Sequence, residues 1–299
     1  MQTASFGVGG NSESFYAEGK KHTFEAPAWL RGRGLDAYEY QAGNGLTAGE
    51  ASLRKVGDEA KANGILMSLH SPYYISLSGV ELEKRLNSIR YIQQSLRAAE
   101  FLGADTIVVH TGSAAKITRA EAMSYASDTL YKLLESTETD IHIGLETMGK
   151  LNQLGTLEEV LTLCKLDGRL YPVVDFGHLN CRGRFESGVF DELSEPTPTG
   201  GVFVTEDDYR AVFDKIANRL GDEYAKTLHC HFSKIEYTKQ GEKKHMKFSD
   251  EGFEPPFEPL MEAIIREGLA PRIISESAGT MAEDAKEMKD YYEARRAQA

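Results

Sequence analysis

The sequence predicts a closed parallel barrel of eight strand–helix units, the (β/α)8 or TIM-barrel architecture, as a single domain over residues 1–299. Short runs rich in Ile, Val and Leu alternate with longer amphipathic segments along the whole chain, which is typical of repeated β-α-β units. We count about eight such units, and this number in 299 residues favours a closed barrel over an open sheet. Several of the apolar runs end on His, Asp or Glu beside small residues.

The predicted strands are short apolar runs, as expected for strands that are buried on both faces of a parallel sheet. They cover residues 4–8, 35–41, 65–70, 105–110, 141–146, 170–175, 226–232 and 272–277. The predicted helices cover residues 24–30, 47–63, 80–102, 119–136, 157–164, 206–220, 257–267 and 281–296. Thr47 and Thr156 are expected N-caps, and Gly64 and Gly103 are expected to end the helices before them.

Two segments are predicted to lack regular structure. The stretch near residues 181–205 contains two prolines and several glycines, and loops of this length in compact domains are usually functional insertions. The segment 233–248 is rich in Lys and Glu and is expected to be a charged loop after the seventh strand.

Composition bounds the class of protein. The chain is 41% hydrophobic and 27% charged, as globular domains are. Its net charge of −12 argues against general adhesion to nucleic acid but leaves room for a local basic cleft. Three cysteines without a CxxC pair indicate a reducing, cytoplasmic location. We expect no signal peptide, and no apolar run reaches the roughly 18 residues of a membrane span.

Residues of the types that commonly bind metals, His, Asp and Glu, lie at or near the ends of the predicted strands. They are His70, His110, Glu146, Asp175, His229 and Glu276. In a parallel barrel these ends meet at one mouth, where buried carboxylates without partners would each cost several kcal/mol. Divalent metals relieve this cost, and mixed His and carboxylate ligands suit zinc or manganese. His178 and His245, on flanking loops, could join the cluster, whereas His231 is expected to play a structural or supporting role.

The segments LHSPYYISL, VVHTGS, GLETMGKLNQLG, VVDFGHLNCRG, LHCHFSK and IISES together resemble the endonuclease IV family of apurinic/apyrimidinic endonucleases, among the xylose-isomerase-like barrels. The family has a strand-end His before a Tyr-containing loop, a His-Pro-Gly-Ser, a Glu before a Gly-rich turn, an Asp-x-x-His, and a final strand Glu. The resemblance extends over most of the chain. It implies zinc-dependent hydrolysis of the phosphodiester 5′ to abasic sites in double-stranded DNA, as in base excision repair.

The resemblance also implies residue roles. His70, His110 and Glu146 would hold a first zinc; Glu146 would bridge to a second held by Asp175, His229 and Glu276; and His178 and His245 would hold a third. Glu146 and Glu276 would belong to the catalytic machinery. Tyr73 would contact the DNA, and Gln41 and Asn44 in the second βα loop are further candidates for the same role. Lys234 begins a basic run beside the site that is either a surface for phosphate contact or a solvated loop. No membrane and no protein partner is implied.

This sequence departs from the family at the third zinc. The family motif is Asp-x-His, and Lys243 occupies the Asp position, where a protonated lysine cannot act as a ligand. Glu242 could replace the aspartate as a ligand if the loop shifts, or His231 could reach the third site. The number of bound ions, two or three, is therefore left open. In addition, the second βα loop, QAGNGLTAGE, lacks the Arg/Gln-rich pattern expected of a loop that enters duplex DNA.

Two other functions stay open. A sugar isomerase or epimerase on the same kind of barrel would need one divalent metal, held here by Glu146, Asp175, His229 and Glu276, with a small sugar as substrate. The discriminating feature is the pair His70 and His110, which such an enzyme does not need as ligands of a second metal. A non-catalytic binding protein is the third reading, and the intact set of ligand-type residues argues against it.

Overall fold

At the centre of the computed structural model, which describes residues 3–186 and 202–298, eight parallel strands close into a barrel. These strands are β1 Ser5–Gly9, β2 Ala37–Gln41, β3 Leu66–His70, β4 Thr106–His110, β5 His142–Glu146, β6 Leu170–Asp175, β7 His229–Phe232 and β10 Arg272–Ser275. Each strand pairs with the barrel strand that follows it in the chain, and β10 closes the barrel against β1. The predicted (β/α)8 architecture is therefore confirmed.

Helices connect the strands and cover the outside of the barrel. They are α1 Glu13–Ala17, α2 Ala26–Gly32, α3 Glu50–Asn63, α4 Leu82–Leu102, α5 Arg119–Glu135, α6 Leu157–Cys164, α7 Phe176–Glu186, α8 Glu206–Leu220, α9 Asp222–Lys226, α10 Glu258–Arg266 and α11 Met281–Arg296, with a 3-10 turn at Thr23–Glu25. Their apolar sides pack on the strands and form one large core cluster. In the described part of the chain, no helix combines the length and apolarity that crossing a bilayer requires.

Local capping signals explain where several helices begin and end. Thr156 caps α6 together with Glu159, as expected. Gly64 and Gly103 end α3 and α4 in the left-handed conformation that glycine adopts without strain. The prediction that Thr47 begins a helix was wrong, because α3 starts at Glu50 after Gly49.

Two of the predicted loops differ from the structure. Helix α7 runs from Phe176 to Glu186, so the insertion predicted near 181–205 does not begin at residue 181; residues 187–201 lie outside the described residues. The charged segment after β7 is an antiparallel hairpin of β8 Lys234–Thr238 and β9 Gly241–Met246. The many Lys and Glu residues of this segment had favoured a loop over strands. The hairpin lies beside the barrel mouth, where β9 contacts α7.

Candidate metal centre

Glu146 lies at the centre of the cluster at the carboxyl ends of the strands. It is the last residue of β5 and is 1% exposed. Its Oε2 lies 3.3 Å from His70 Nε2 and 3.1 Å from His110 Nε2. Its Oε1 lies 3.2 Å from His231 Nδ1 on the other side. One carboxylate oxygen therefore faces His70 and His110, and the other faces His231.

The parallel register brings these side chains to one level. His110 pairs with Glu146, and Asp175 pairs with His231. Glu276 follows directly after β10, and its Oε2 lies 3.5 Å from His231 Nδ1. Glu146, Asp175, His231 and Glu276 each offer a ligand atom within 4.8 Å of the others. The strand ends thus converge as the sequence predicted, with one exchange of histidine.

His229 and His231 exchange their expected places. His229 is the first residue of β7, not a strand-end residue, and its Nε2 lies 2.9 Å from Oε2 of the buried Glu39. It lines a cavity of 520 Å³ at the amino-terminal end of the barrel, together with strand-initial residues such as Thr106 and His142. Strand β7 ends at Phe232 as predicted, and the register that pairs His231 with Asp175 places His231, two residues beyond His229 on the same face of the strand, among the carboxylates. The expectation for His229 is corrected accordingly.

Hydrogen bonds orient the imidazoles of the other histidines. His70 Nδ1 donates to the Ser71 carbonyl at 3.0 Å, and His178 Nδ1 donates to the Thr147 carbonyl at 2.9 Å. His245 Nδ1 lies 2.7 Å from Ser233 Oγ. In each case Nε2 is left to face the cluster. Histidine ligands of metals commonly have one ring nitrogen engaged in this way.

Three buried atoms test whether a metal suits this site. Asp175 Oδ2, His178 Nε2 and His231 Nε2 are buried and make no hydrogen bond among the described residues. Buried polar atoms almost always have a partner, and a bound ion commonly accounts for an exception. Asp175, His178 and His245 form a further group of potential ligands. The donor set of imidazoles and carboxylates therefore fits divalent cations such as zinc.

A β-bulge in the hairpin resolves the question raised by Lys243. Glu236 pairs with Lys244 and Tyr237 pairs with Glu242, so Lys243 is the extra residue. The bulge turns Glu242 towards the barrel mouth, where its Oε2 lies 3.3 Å from His178 Nε2. Lys243 points away and pairs with Glu236 at 2.5 Å. The bulge is therefore the local shift that brings Glu242 to the position expected of the family's aspartate.

The cluster opens into a cavity of 390 Å³ at the barrel mouth. Tyr73 lines it, is 55% exposed, and stacks on His110 with ring centroids 5.4 Å apart. Its ring fills the space where a Cβ on Gly43 would lie. Asn44 is exposed on the same loop, whereas Gln41 turns inward and its Nε2 donates to Glu39 Oε1 at 3.4 Å.

The structure places Lys234 away from this cavity. Its Nζ donates to the backbone carbonyls of Phe248 and Asp250 at 2.6 and 3.2 Å, so its charge supports the segment after the hairpin. The expectation that Lys234 contacts substrate is therefore corrected. Lys150, which follows β5, is exposed and lines the cavity with the histidines. The sequence analysis did not single it out.

The electrostatics of the cluster reflect its crowded charges. Burial lowers the pKa of His70, but its hydrogen bond to Glu146 and the charge of that carboxylate outweigh burial and raise the pKa to about 9. Burial likewise lowers the pKa of His178, and the charges of Asp175 and Glu242 outweigh it and raise the pKa to about 9. Without a metal, protons on the imidazoles supply the positive charge that the carboxylates require.

Glu39 was not among the residues predicted from the sequence, and Glu242 was expected at the site only if its loop shifted. Glu39 lies in the middle of β2 and is fully buried. The signal available in the sequence was a charged residue between two tyrosines inside a predicted strand, because such a charge is rarely buried without partners. For Glu242 the signal was weaker, since a bulge cannot be read from the alternation of charged residues.

Comparison with known proteins identifies the family. A family model described as xylose isomerase-like TIM barrel matches residues 27–295. The uncharacterized protein MJ0133 of Methanocaldococcus jannaschii is 29% identical over 233 residues, covering 77% of this chain and 78% of that protein. Probable endonuclease 4 of Mycoplasma genitalium is 28% identical over 179 residues, covering 58% of this chain and 53% of that protein.

Solved structures share the architecture. Endonuclease IV from Thermus thermophilus superposes with a TM-score of 0.66 at 17% identity, covering 99% of this chain and 100% of that one. A D-tagatose 3-epimerase-like protein superposes with a TM-score of 0.62 at 19% identity, covering 88% of this chain and 90% of that one. At these identities the likenesses show the fold alone. By the match of its family model, the chain belongs to the xylose isomerase-like TIM barrel family.

Proposed function

We propose that this protein is a divalent-metal phosphodiesterase of the endonuclease IV type that hydrolyses the phosphodiester 5′ to abasic sites in double-stranded DNA. The observation that carries the proposal is the position of Glu146 between His70 and His110 on one side and His231 on the other, with one carboxylate oxygen facing each side. A ligand set that can hold two adjacent cations suits phosphodiester chemistry, in which attacking and leaving oxygens both need stabilisation. The endonuclease 4 relatives support the same reading.

The chain offers three groups of ligands for zinc, with manganese as the alternative. One is His70, His110 and Glu146; the second is Glu146, Asp175, His231 and Glu276; the third is Asp175, His178 and His245, to which Glu242 adds a carboxylate. When bound, such cations supply Lewis acidity for the attack of water on phosphorus and for departure of the leaving oxygen. Three buried, unpaired cysteines fit the cytoplasmic location of this proposal.

Other residues at the mouth would position the DNA. Tyr73 presents an exposed ring beside His110, and aromatic rings stack on bases that have left the helix. Lys150 lines the cavity, and its charge is placed to contact a phosphate. Asn44, exposed in the loop that contacts Tyr73, completes the proposed DNA-facing set, whereas the amide of Gln41 turns inward to Glu39.

A sugar epimerase is the second candidate. It needs one cation, and Glu146, Asp175, His231 and Glu276 form such a group of two Glu, one Asp and one His. An epimerase-like protein also shares the fold. This function leaves the contacts of His70 and His110 with Glu146 without a purpose, and for that reason we place it second.

The function is tested by cleavage of a labelled duplex that carries one abasic-site analogue, with zinc- or manganese-loaded protein. We expect a chelator-sensitive nick 5′ to the lesion. Glu146→Gln keeps the shape but removes the charge shared by both histidine groups. Loss of a supporting partner alone costs roughly 10–100-fold at metal sites, so we expect this change to cost more than about 100-fold. An intact duplex, with full metal content confirmed and epimerisation of a ketose detected, would establish the second candidate instead.

The exchange of the two β7 histidines predicts different metal contents for two matched variants. His231→Asn removes an imidazole beside Glu146 and Glu276, and we expect the purified protein to lose at least one bound ion per chain. His229→Asn alters the residue at the other end of the strand and should keep the wild-type metal content. Elemental analysis after dialysis measures both. The reverse pattern would return the ligand role to His229.

The bulge in the hairpin predicts that Glu242 contributes to the third group of ligands and that Lys243 does not. Glu242→Gln should weaken the binding of one ion by roughly 10–100-fold, the range seen when a carboxylate partner of a metal site is removed. Lys243→Gln, one residue along the same strand, is the matched control and should leave affinity unchanged. Competition with a chromophoric chelator measures both variants. Equal affinities for the Glu242 variant and the wild type would contradict the assignment.

The raised pKa values of His70 and His178 predict that metal binding releases protons. Because both histidines keep their protons up to about pH 9 in the metal-free protein, a cation must displace them at neutral pH. Apparent affinity should therefore rise with pH between 7 and 9 and level off above it. Calorimetry in buffers of different ionisation enthalpy measures the release. An affinity that does not vary over this range would contradict the protonation of the metal-free cluster.

A further inference from the structure

Glu39 is a buried residue whose carboxylate reaches across the interior of the barrel to the histidines of β7. It is 0% exposed and belongs to β2, which is separated from β7 by β1 and β10. Its Oε2 accepts a hydrogen bond from Ser68 Oγ at 2.9 Å and lies 2.9 Å from His229 Nε2. Its Oε1 accepts a hydrogen bond from Gln41 Nε2 at 3.4 Å and lies 3.0 Å from His231 Nε2, in an orientation too bent for a hydrogen bond. An ionised carboxylate this deep is tolerated only when both oxygens have such partners.

His231 connects Glu39 to the candidate metal centre. It is 0% exposed, and its two ring nitrogens face opposite ways. Nε2 faces Glu39, while Nδ1 faces Glu146 Oε1 at 3.2 Å and Glu276 Oε2 at 3.5 Å. His70, His178 and His245 instead use Nδ1 as the anchored nitrogen, with a backbone carbonyl or a serine hydroxyl as partner. His231 is thus inverted relative to those three, and a carboxylate on another strand takes the place of the anchor.

We propose that Glu39 is a positioning residue that holds His231 with its proton on Nε2, so that Nδ1 is the nitrogen presented to the cation bound by Glu146, Asp175 and Glu276. This inference rests on the metal centre of the proposed function. A carboxylate that accepts the N–H of a ligating imidazole fixes its tautomer and ring orientation and makes it a stronger ligand. Glu39 itself stays outside the set of ligands.

The surroundings of Glu39 favour this role over that of a ligand in a separate cation site with His229 and His231. Oε2 accepts a hydrogen bond from the hydroxyl of Ser68 and lies 2.9 Å from His229 Nε2, and Oε1 accepts one from Gln41 Nε2 at 3.4 Å, so these groups would compete with a cation. In addition, the lone pair of His231 cannot serve two cations at once while the ring keeps a proton. Glu39 therefore acts through His231.

The test compares Glu39→Gln with Ser68→Ala. The first removes the charge that faces His231, and the second removes another partner of the same carboxylate while leaving the His231 contact in place. Two readouts do not depend on catalysis: zinc affinity from chelator competition, and the visible absorption of the cobalt-substituted protein, which reports coordination geometry. We expect Glu39→Gln to weaken one ion by roughly 10–100-fold and to change the cobalt spectrum, with both unchanged in Ser68→Ala.

Wild-type affinity and spectrum in a folded Glu39→Gln protein would overturn the proposal, as would equal effects of the two variants. Loss of a whole ion in Glu39→Gln, with no change in the cobalt spectrum of those that remain, would show a separate cation site and also overturn it. If Glu39→Gln does not fold, long-range ¹H–¹⁵N spectra of histidine-labelled, zinc-loaded wild-type protein decide: a proton on Nε2 of His231 supports the proposal, and a proton on Nδ1 overturns it.

These outcomes are separable from the fate of the proposed function. A wild-type protein that binds metal but does not cleave abasic DNA would overturn the endonuclease assignment and leave the role of Glu39 open to the same measurements. A wild-type protein that binds no divalent metal would overturn both.

Discussion

The buried carboxylate of Glu146 is the constraint on which the rest of the site depends. It lies at the end of β5 in contact with three imidazoles, and it is nearly inaccessible to solvent. Such a group is stable only with positive charge around it, supplied by protonated histidines or by cations. The barrel provides this because parallel strands end together, so that His70, His110 and Asp175 arrive at one level from separate strands. The helices that pack outside the barrel hold the strands in place and so maintain the distances between these side chains.

Much of this arrangement could be predicted from the sequence, because it follows from the spacing of the apolar runs and from the position of a polar residue at the end of each run. A carboxylate or imidazole at the end of an apolar run points to the mouth of a parallel barrel, whichever helix follows. His70, His110, Glu146 and Asp175 obeyed this rule. The choice between His229 and His231 did not follow from it, because residues two apart in a strand face the same way. Only the register, which pairs His231 with Asp175, separates them.

Other features depended on local geometry that sequence patterns do not determine. The hairpin beside α7 is rich in Lys and Glu, which favours a loop assignment, and its bulge at Lys243 reverses the alternation that would have turned Glu242 outward. Glu39 lies inside a predicted strand, but its partners Ser68 and His231 come from distant parts of the chain. In each case the decisive contact is tertiary.

Endonuclease IV from Thermus thermophilus and a D-tagatose 3-epimerase-like protein share this fold, so the number of cations separates the two candidate functions more sharply than the fold does. Anomalous diffraction from zinc-containing crystals would locate the ions. We expect two or three ions at the carboxyl ends of the strands, with Glu146 bridging one held by His70 and His110 and another held by Asp175, His231 and Glu276. A single ion without His70 and His110 as ligands, or an ion between Glu39 and His229, would contradict this expectation.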